Sequence, residues 1–176
     1  MDRLAIGRLA AATLLLAAVG CASATDIAPP GQAAEVPAGA SPAALVPFPD
    51  GTTQLVRINT GVTEHARLVL GDEATWTALW SRVVTNLFPH PPAPAVDFGR
   101  NMVVAAAMGT KPTGGFAIAI DSAYRANGHI YVVVGESSPG DRCAVPQMIT
   151  APFAAVLLPR SADPVLFVER AVVSRC

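Results

Sequence analysis

Three histidines, three cysteines and a few isolated charges are the residues with which this chain could do chemistry. His65, His90 and His129 fall in separate stretches, and none has the His-x-His or His-Glu-x-x-His spacing that sets two imidazoles on one metal. Each reads as a surface or hydrogen-bonded histidine, so neither a metal nor a cofactor is expected. No Gly-x-Ser-x-Gly elbow offers a serine nucleophile. Cys143 follows Arg142, a neighbour that favours the thiolate, yet a disulfide to Cys176 would remove that nucleophile. Glu136 and Asp141 are close enough to suggest paired acids, but their Gly/Ser/Pro-rich surroundings read as a turn with solvated carboxylates. The expectation is a protein that is not an enzyme.

A different chemistry, contact rather than catalysis, is suggested around Lys111. It is the only charge in residues 101–120 and stands in the insert Gly109-Thr110-Lys111-Pro112-Thr113-Gly114-Gly115, between apolar runs at 102–108 and 116–120. A minimal hairpin needs only two residues. Pro112 fixes its own φ and biases Lys111 to an extended form, while Gly114 and Gly115 permit positive φ or the close approach of another backbone. Two readings stay open. One is a wide hairpin turn; the other is a contact loop of Lys111, Pro112, Thr113, Gly114, Gly115 and Phe116, flanked by Pro139-Gly140-Asp141-Arg142-Cys143. The order of a phosphate-binding P-loop is absent.

The N-terminus predicts export. Arg3 and Arg8 precede an apolar segment at 9–19, then Gly20-Cys21, which is the layout of a secretory signal over residues 1–20. That segment is too short to span a bilayer, which takes roughly 20 residues. Ala18-Val19-Gly20-Cys21 resembles a bacterial lipobox, in which the cysteine is acylated and becomes the first mature residue; ordinary secretion with cleavage in Ala22-Ser23-Ala24 is the alternative. The lipidated reading gives an exported, membrane-anchored protein of the cell envelope. The lack of an acidic residue after Cys21 mildly favours the outer membrane. With Cys21 committed to lipid, Cys143 and Cys176 can pair in only one way in an oxidising compartment, against the alternative of two free thiols.

Residues 21–50 read as a tether: 22–50 holds six prolines, nine alanines and almost no large apolar residue, a composition that cannot bury a core of its own. Residues 51–176 then form one domain. Without Asp2, Arg3 and Arg8 of the signal, 10 basic residues face 12 acidic ones, and no basic run could track a phosphate backbone, which argues against nucleic acid.

From Asp72 the residues Trp76, Leu79, Trp80, Val83, Val84 and Leu87 fall within an arc of about 140° at helical spacing. Asp72 suits the N-cap and the positive end of the helix dipole, and Phe88-Pro89-His90-Pro91-Pro92 ends the helix. The two tryptophans one turn apart predict packing under a sheet before they predict a ligand platform. Strands are predicted at 54–59, 63–70, 103–108, 116–121, 129–134, 153–158 and 165–173, and the continuous apolar run 103–108 reads as a strand covered on both faces. Asn127-Gly128 marks a hairpin, while Pro152 and Pro159 suggest that 153–158 is an edge or a bend. The fold class is mainly β within α+β: a small antiparallel sandwich or roll with one packed amphipathic helix near the domain's N-terminus.

On these residues the chain resembles a family. Trp80, Val96-Asp97-Phe98, Met102-Val103-Val104, Gly109, Pro112-Thr113-Gly114-Gly115-Phe116, Ile118, Pro139-Gly140 and Thr150-Ala151-Pro152-Phe153 are similar to the PrcB C-terminal domain family, over about 76–159. The resemblance implies protein association at the cell surface, as with a lipoprotein accessory subunit of a surface protease complex, and it brings no catalytic residue. The same loop is partly similar to that of chagasin-like inhibitors of cysteine proteases, which present an Asn-Pro-Thr-Thr-Gly-aromatic segment. Here the Asn is missing and Gly114 stands for the second Thr. Protease inhibition is the alternative expectation.

Overall fold

The continuous apolar run after Asn101 becomes a strand covered on both sides. The computed structural model describes residues 34–176. In chain order its elements are β1 (Ser41–Pro42), β2 (Leu55–Arg57), β3 (His65–Leu70), α1 (Glu73–Val83), β4 (Asn101–Met108), β5 (Ala117–Ala126), β6 (His129–Pro139), β7 (Phe153–Pro159) and β8 (Val165–Ser174). Two four-stranded sheets form, in the orders β1-β5-β6-β8 and β2-β7-β4-β3. All pairings are antiparallel except β6 with β8.

The two-residue period of β4 distributes its side chains between two cores. Met102, Val104, Ala106 and Met108 meet Ile118, Ile120, Val132 and Val134 between the sheets. Val103, Ala105 and Ala107 face Trp76, Leu79, Trp80 and Val83 of α1. The result is three layers: helix, the β4-containing sheet, and the β6-containing sheet. Asp72 caps α1 by accepting from Thr75 N at 2.9 Å. Both tryptophans are buried, with Trp76 Nε1 donating to Pro94 O at 2.9 Å and Trp80 Nε1 to Pro91 O at 3.0 Å. Their polar edges are satisfied by the proline-rich return, so they are core residues rather than a ligand platform.

The structure corrects two expectations. The strand at 153–158 is not an edge: β7 lies between β2 and β4 and is buried from Phe153 to Leu158. Its prolines cost nothing there, because Pro152 precedes the strand and Pro159 is its last residue, opposite Asn101. Pro152 still uses its carbonyl, which accepts from Met108 N at 3.0 Å.

The tether expected through residue 50 is the second correction. Ser41 and Pro42 pair with Arg125 and Tyr124, Ala43 N donates to Ala123 O at 2.8 Å and Val46 N to Leu157 O at 2.9 Å. Phe48 is buried in the core that α1 also lines, and Ala34 and Val36 cover Tyr131, Val133 and Val168 on the outer face of the β6 sheet. A stretch too poor to build a core can still cover one, because each apolar side chain needs only an existing surface. The packed domain therefore begins by residue 34 rather than 51. The expected signal at 1–20, Cys21 and tether residues 22–33 lie outside the described residues.

Candidate functional site

The insert around Lys111 joins β4 to β5, which belong to different sheets, so it is a crossing between layers and not a hairpin turn. A second segment, residues 144–150, is tied onto it. Lys111 and Thr150 exchange both backbone hydrogen bonds, at 2.7 and 3.0 Å, and Gly114 N donates to Pro146 O at 2.9 Å. The buried Thr150 hydroxyl donates to Thr113 O at 2.9 Å. Buried polar groups need such partners, so these bonds fix the register of loop and strap together.

The glycines have a specific task at this crossing. Gly115 has φ +86°, and a Cβ there would stand 2.8 Å from Val145 Cγ1 and 3.2 Å from Pro139 Cβ. A side chain at Gly114 would approach Pro146 Cδ at 3.1 Å. Of the two freedoms expected for the pair, positive φ is used at Gly115 and close approach at both. Lys111 Nζ lies 5.6 Å from the Phe116 ring centroid, a cation–π distance, while Phe116 packs partly against the inter-sheet core. Among the six expected contact residues, Pro112 and Gly115 are exposed, Lys111, Thr113 and Phe116 are half-buried, and Gly114 is buried.

The strap is held at its start by the Cys143–Cys176 disulfide, with Cα atoms 5.2 Å apart. The parallel strands β6 and β8 end side by side there. Gly140 N donates to Ser174 O at 3.2 Å, and the Ser137 and Ser174 hydroxyls are 2.9 Å apart. At its other end Ala151 N donates to Ile58 O at 3.0 Å.

The histidines are dispersed. His65 Nε2 lies 3.3 Å from Glu136 Oε1, His129 Nδ1 lies 2.9 Å from Asn127 O, and His90 is exposed. Among the described residues no three or more His, Cys, Asp or Glu gather as metal ligands. Glu136 is not the solvated turn acid expected, because β6 runs on to Pro139 and carries it as a strand residue; Asp141 does lie exposed beyond the strand.

Glu136 instead belongs to an ion cluster centred on Arg67, which the sequence did not single out. Arg67 on β3 reaches between the layers, with Nε 2.8 Å from Glu169 Oε1 and Nη2 2.7 Å from Glu169 Oε2. Nη2 also bonds Glu136, and Nη1 donates to Ala66 O at 2.9 Å and Ala107 O at 3.0 Å. Burial alone would lower the guanidinium pKa, but the hydrogen bonds to Glu169 and Glu136 outweigh it and raise the pKa above the ordinary value. The only trace in the sequence is one arginine inside the apolar alternation of 66–70.

Layer order and site together define a small helix-backed β-sandwich whose loop end is cross-tied by backbone bonds and one disulfide. The family model described as PrcB C-terminal matches residues 102–159. The resemblance seen in the sequence is thereby borne out from β4 through β7, a span that includes the Lys111 loop and its strap, while α1 and residues 76–101 lie outside the match. No curated protein and no solved structure shows significant similarity to the chain.

Proposed function

We propose that this chain is a non-catalytic, exported lipoprotein of the bacterial cell envelope, anchored through Cys21, whose β-rich domain binds a protein partner. The partner is an envelope protease or another surface complex that the domain serves as an accessory or stabilising subunit. The observation that carries this reading is the PrcB C-terminal match over residues 102–159, which contains both the 111–116 loop and the strap that fixes it. A fixed loop loses little freedom on binding, which favours a contact surface. The cross-tied geometry also favours this reading over chagasin-like inhibition. A wedge that enters a protease cleft must stand free, and Gly114 is buried against Pro146.

Crosslinked pull-down from native envelopes tests the reading. Lys111→Glu should reduce recovery of the partner at least about tenfold, the scale of one interface hot spot, with the near-ultraviolet circular dichroism unchanged. Recovery of the same partner by this variant would place the contact elsewhere. Radiolabelled fatty acid entering the wild type but not Cys21→Ser tests the anchor separately.

A further inference from the structure

Three loops at the end of the sandwich that holds Lys111 carry large apolar side chains that none of the described residues covers. Phe88 is 97% exposed, Ile149 69% and Ile58 57%, and Leu87 and Met148 are exposed beside them in sequence. Hydrogen bonds hold the loops side by side: Asn86 Nδ2 donates to Asn59 Oδ1 at 3.1 Å, and Ala151 N to Ile58 O at 3.0 Å. Exposed apolar residues clustered this way on a small domain mark an interaction surface.

Charge and shape say what covers it. Residues 56–60, 85–96, 109–116 and 144–152, which carry these side chains and the adjoining crossing, contain no Asp or Glu and hold Arg57 and Lys111, while of the acids that border them Glu64 is paired with Arg82 and Asp141 adjoins Arg142. The side chains stand out from loop tips, and a fluid interface accommodates protruding groups without a preformed cavity. Apolar tips with flanking cations suit the boundary between headgroups and acyl chains of an anionic bilayer. We propose that this end of the domain, through Phe88, Ile149 and Ile58 with Arg57 and Lys111 at the headgroups, rests in the interface of an anionic lipid membrane. A further consideration rests on the lipidated reading above: only the 12 residues 22–33 separate Cys21 from the packed domain, a reach of at most about 40 Å. Exposure and charge hold whether or not Cys21 carries lipid.

The test uses the exported chain without residues 1–21, so that neither signal nor acyl chain contributes. Vesicles of phosphatidylglycerol and phosphatidylethanolamine should co-float with it, and phosphatidylcholine vesicles should not. Phe88→Ser with Ile149→Ser should lower the bound fraction at least tenfold, Arg57→Glu with Lys111→Glu should abolish the preference for phosphatidylglycerol, and Val172→Ser with Val173→Ser, exposed on β8, should change nothing. Phe88→Trp supplies a reporter, because Trp76 and Trp80 are buried; its emission should shift to the blue on phosphatidylglycerol vesicles. Absence of flotation and of the shift in a folded chain overturns the proposal and leaves a protein as what covers the rim. Flotation unchanged in the Phe88/Ile149 variant overturns it equally. Failure here with palmitate still entering Cys21 and the partner still lost in Lys111→Glu would leave the accessory reading intact.

Discussion

The two sheets of this sandwich are stabilised by different means. The sheet of β2, β7, β4 and β3 is covered on one face by α1 and on the other by its partner sheet, and its two central strands are buried except at Asn101 and Pro159. Among the described residues, the sheet of β1, β5, β6 and β8 has Ala34 and Val36 over part of its outer face, and β8 is exposed from Glu169 to Val173. Where apolar cover is complete, burial suffices. Where it runs out, the chain adds the Cys143–Cys176 link, the Arg67 cluster and the backbone bond from Gly140 N to Ser174 O. The exposed half of β8 is thus fastened to its neighbours by directional and covalent bonds.

The largest effect is expected on the helix side. Trp76→Ala removes a side chain that is 1% exposed and leaves Pro94 O without its donor, so the loss should be about 3–5 kcal/mol in chemical denaturation. A loss below about 1 kcal/mol would mean that the helix layer is dispensable and the contrast between sheets is unfounded. Next comes the disulfide. Closing a loop with sequence separation 33 constrains the unfolded chain by about 3–4 kcal/mol, which Cys143→Ser with Cys176→Ser should forfeit. Hydrogen exchange should then rise first at residues 144–150 and at the end of β8, while β4 and β7 stay protected. Uniform loosening would break the comparison.

Arg67 sharpens it further. Its side chain bridges β3 to β6 and β8, so Arg67→Ala leaves Glu136 and Glu169 without the guanidinium they share. Because both carboxylates are partly exposed, the cost should fall between the surface and buried limits, about 1–3 kcal/mol. Replacing Glu136 and Glu169 together with Gln in that background should recover part of the loss, as a double-mutant cycle would read. No recovery would assign the effect to lost packing of the arginine stem.

What could be read from the sequence follows the range of the interactions. The helix and its Asp72 cap were legible because periodicity and capping act within one turn, and the two-sided burial of β4 because an unbroken apolar run leaves a strand no face suited to water. The Asn127–Gly128 hairpin, with φ of 51° and 72°, was legible from the chemistry of its two residues. The central place of β7 was not, since prolines just outside the ladder look the same in sequence as prolines that break it. Nor was the packing of residues 34–50, where sparse apolar side chains gain their value only from surfaces built far along the chain. The Lys111 loop was recognised as unusual, but its glycines answer to Val145 and Pro146, which no local pattern announces. The Arg67 cluster joins residues 69 and 102 positions apart, beyond any local signal.

The smallest effect returns to the helix, and its sign is fixed. Thr75 donates from its backbone N–H, and its hydroxyl adds to the effect, so the Asp72 carboxyl is held below the ordinary carboxylate range in the folded protein. A carboxyl whose folded pKa lies below its unfolded one contributes stability that is complete above the unfolded value and is lost as pH falls through the folded one. Asp72→Asn keeps an acceptor for Thr75 N but removes the charge at the positive end of α1. Wild type should therefore melt slightly above the variant at neutral pH, and the two should converge in acid. If the gap stays constant across that range, the charge is not what stabilises the cap, and the helix layer depends on burial alone.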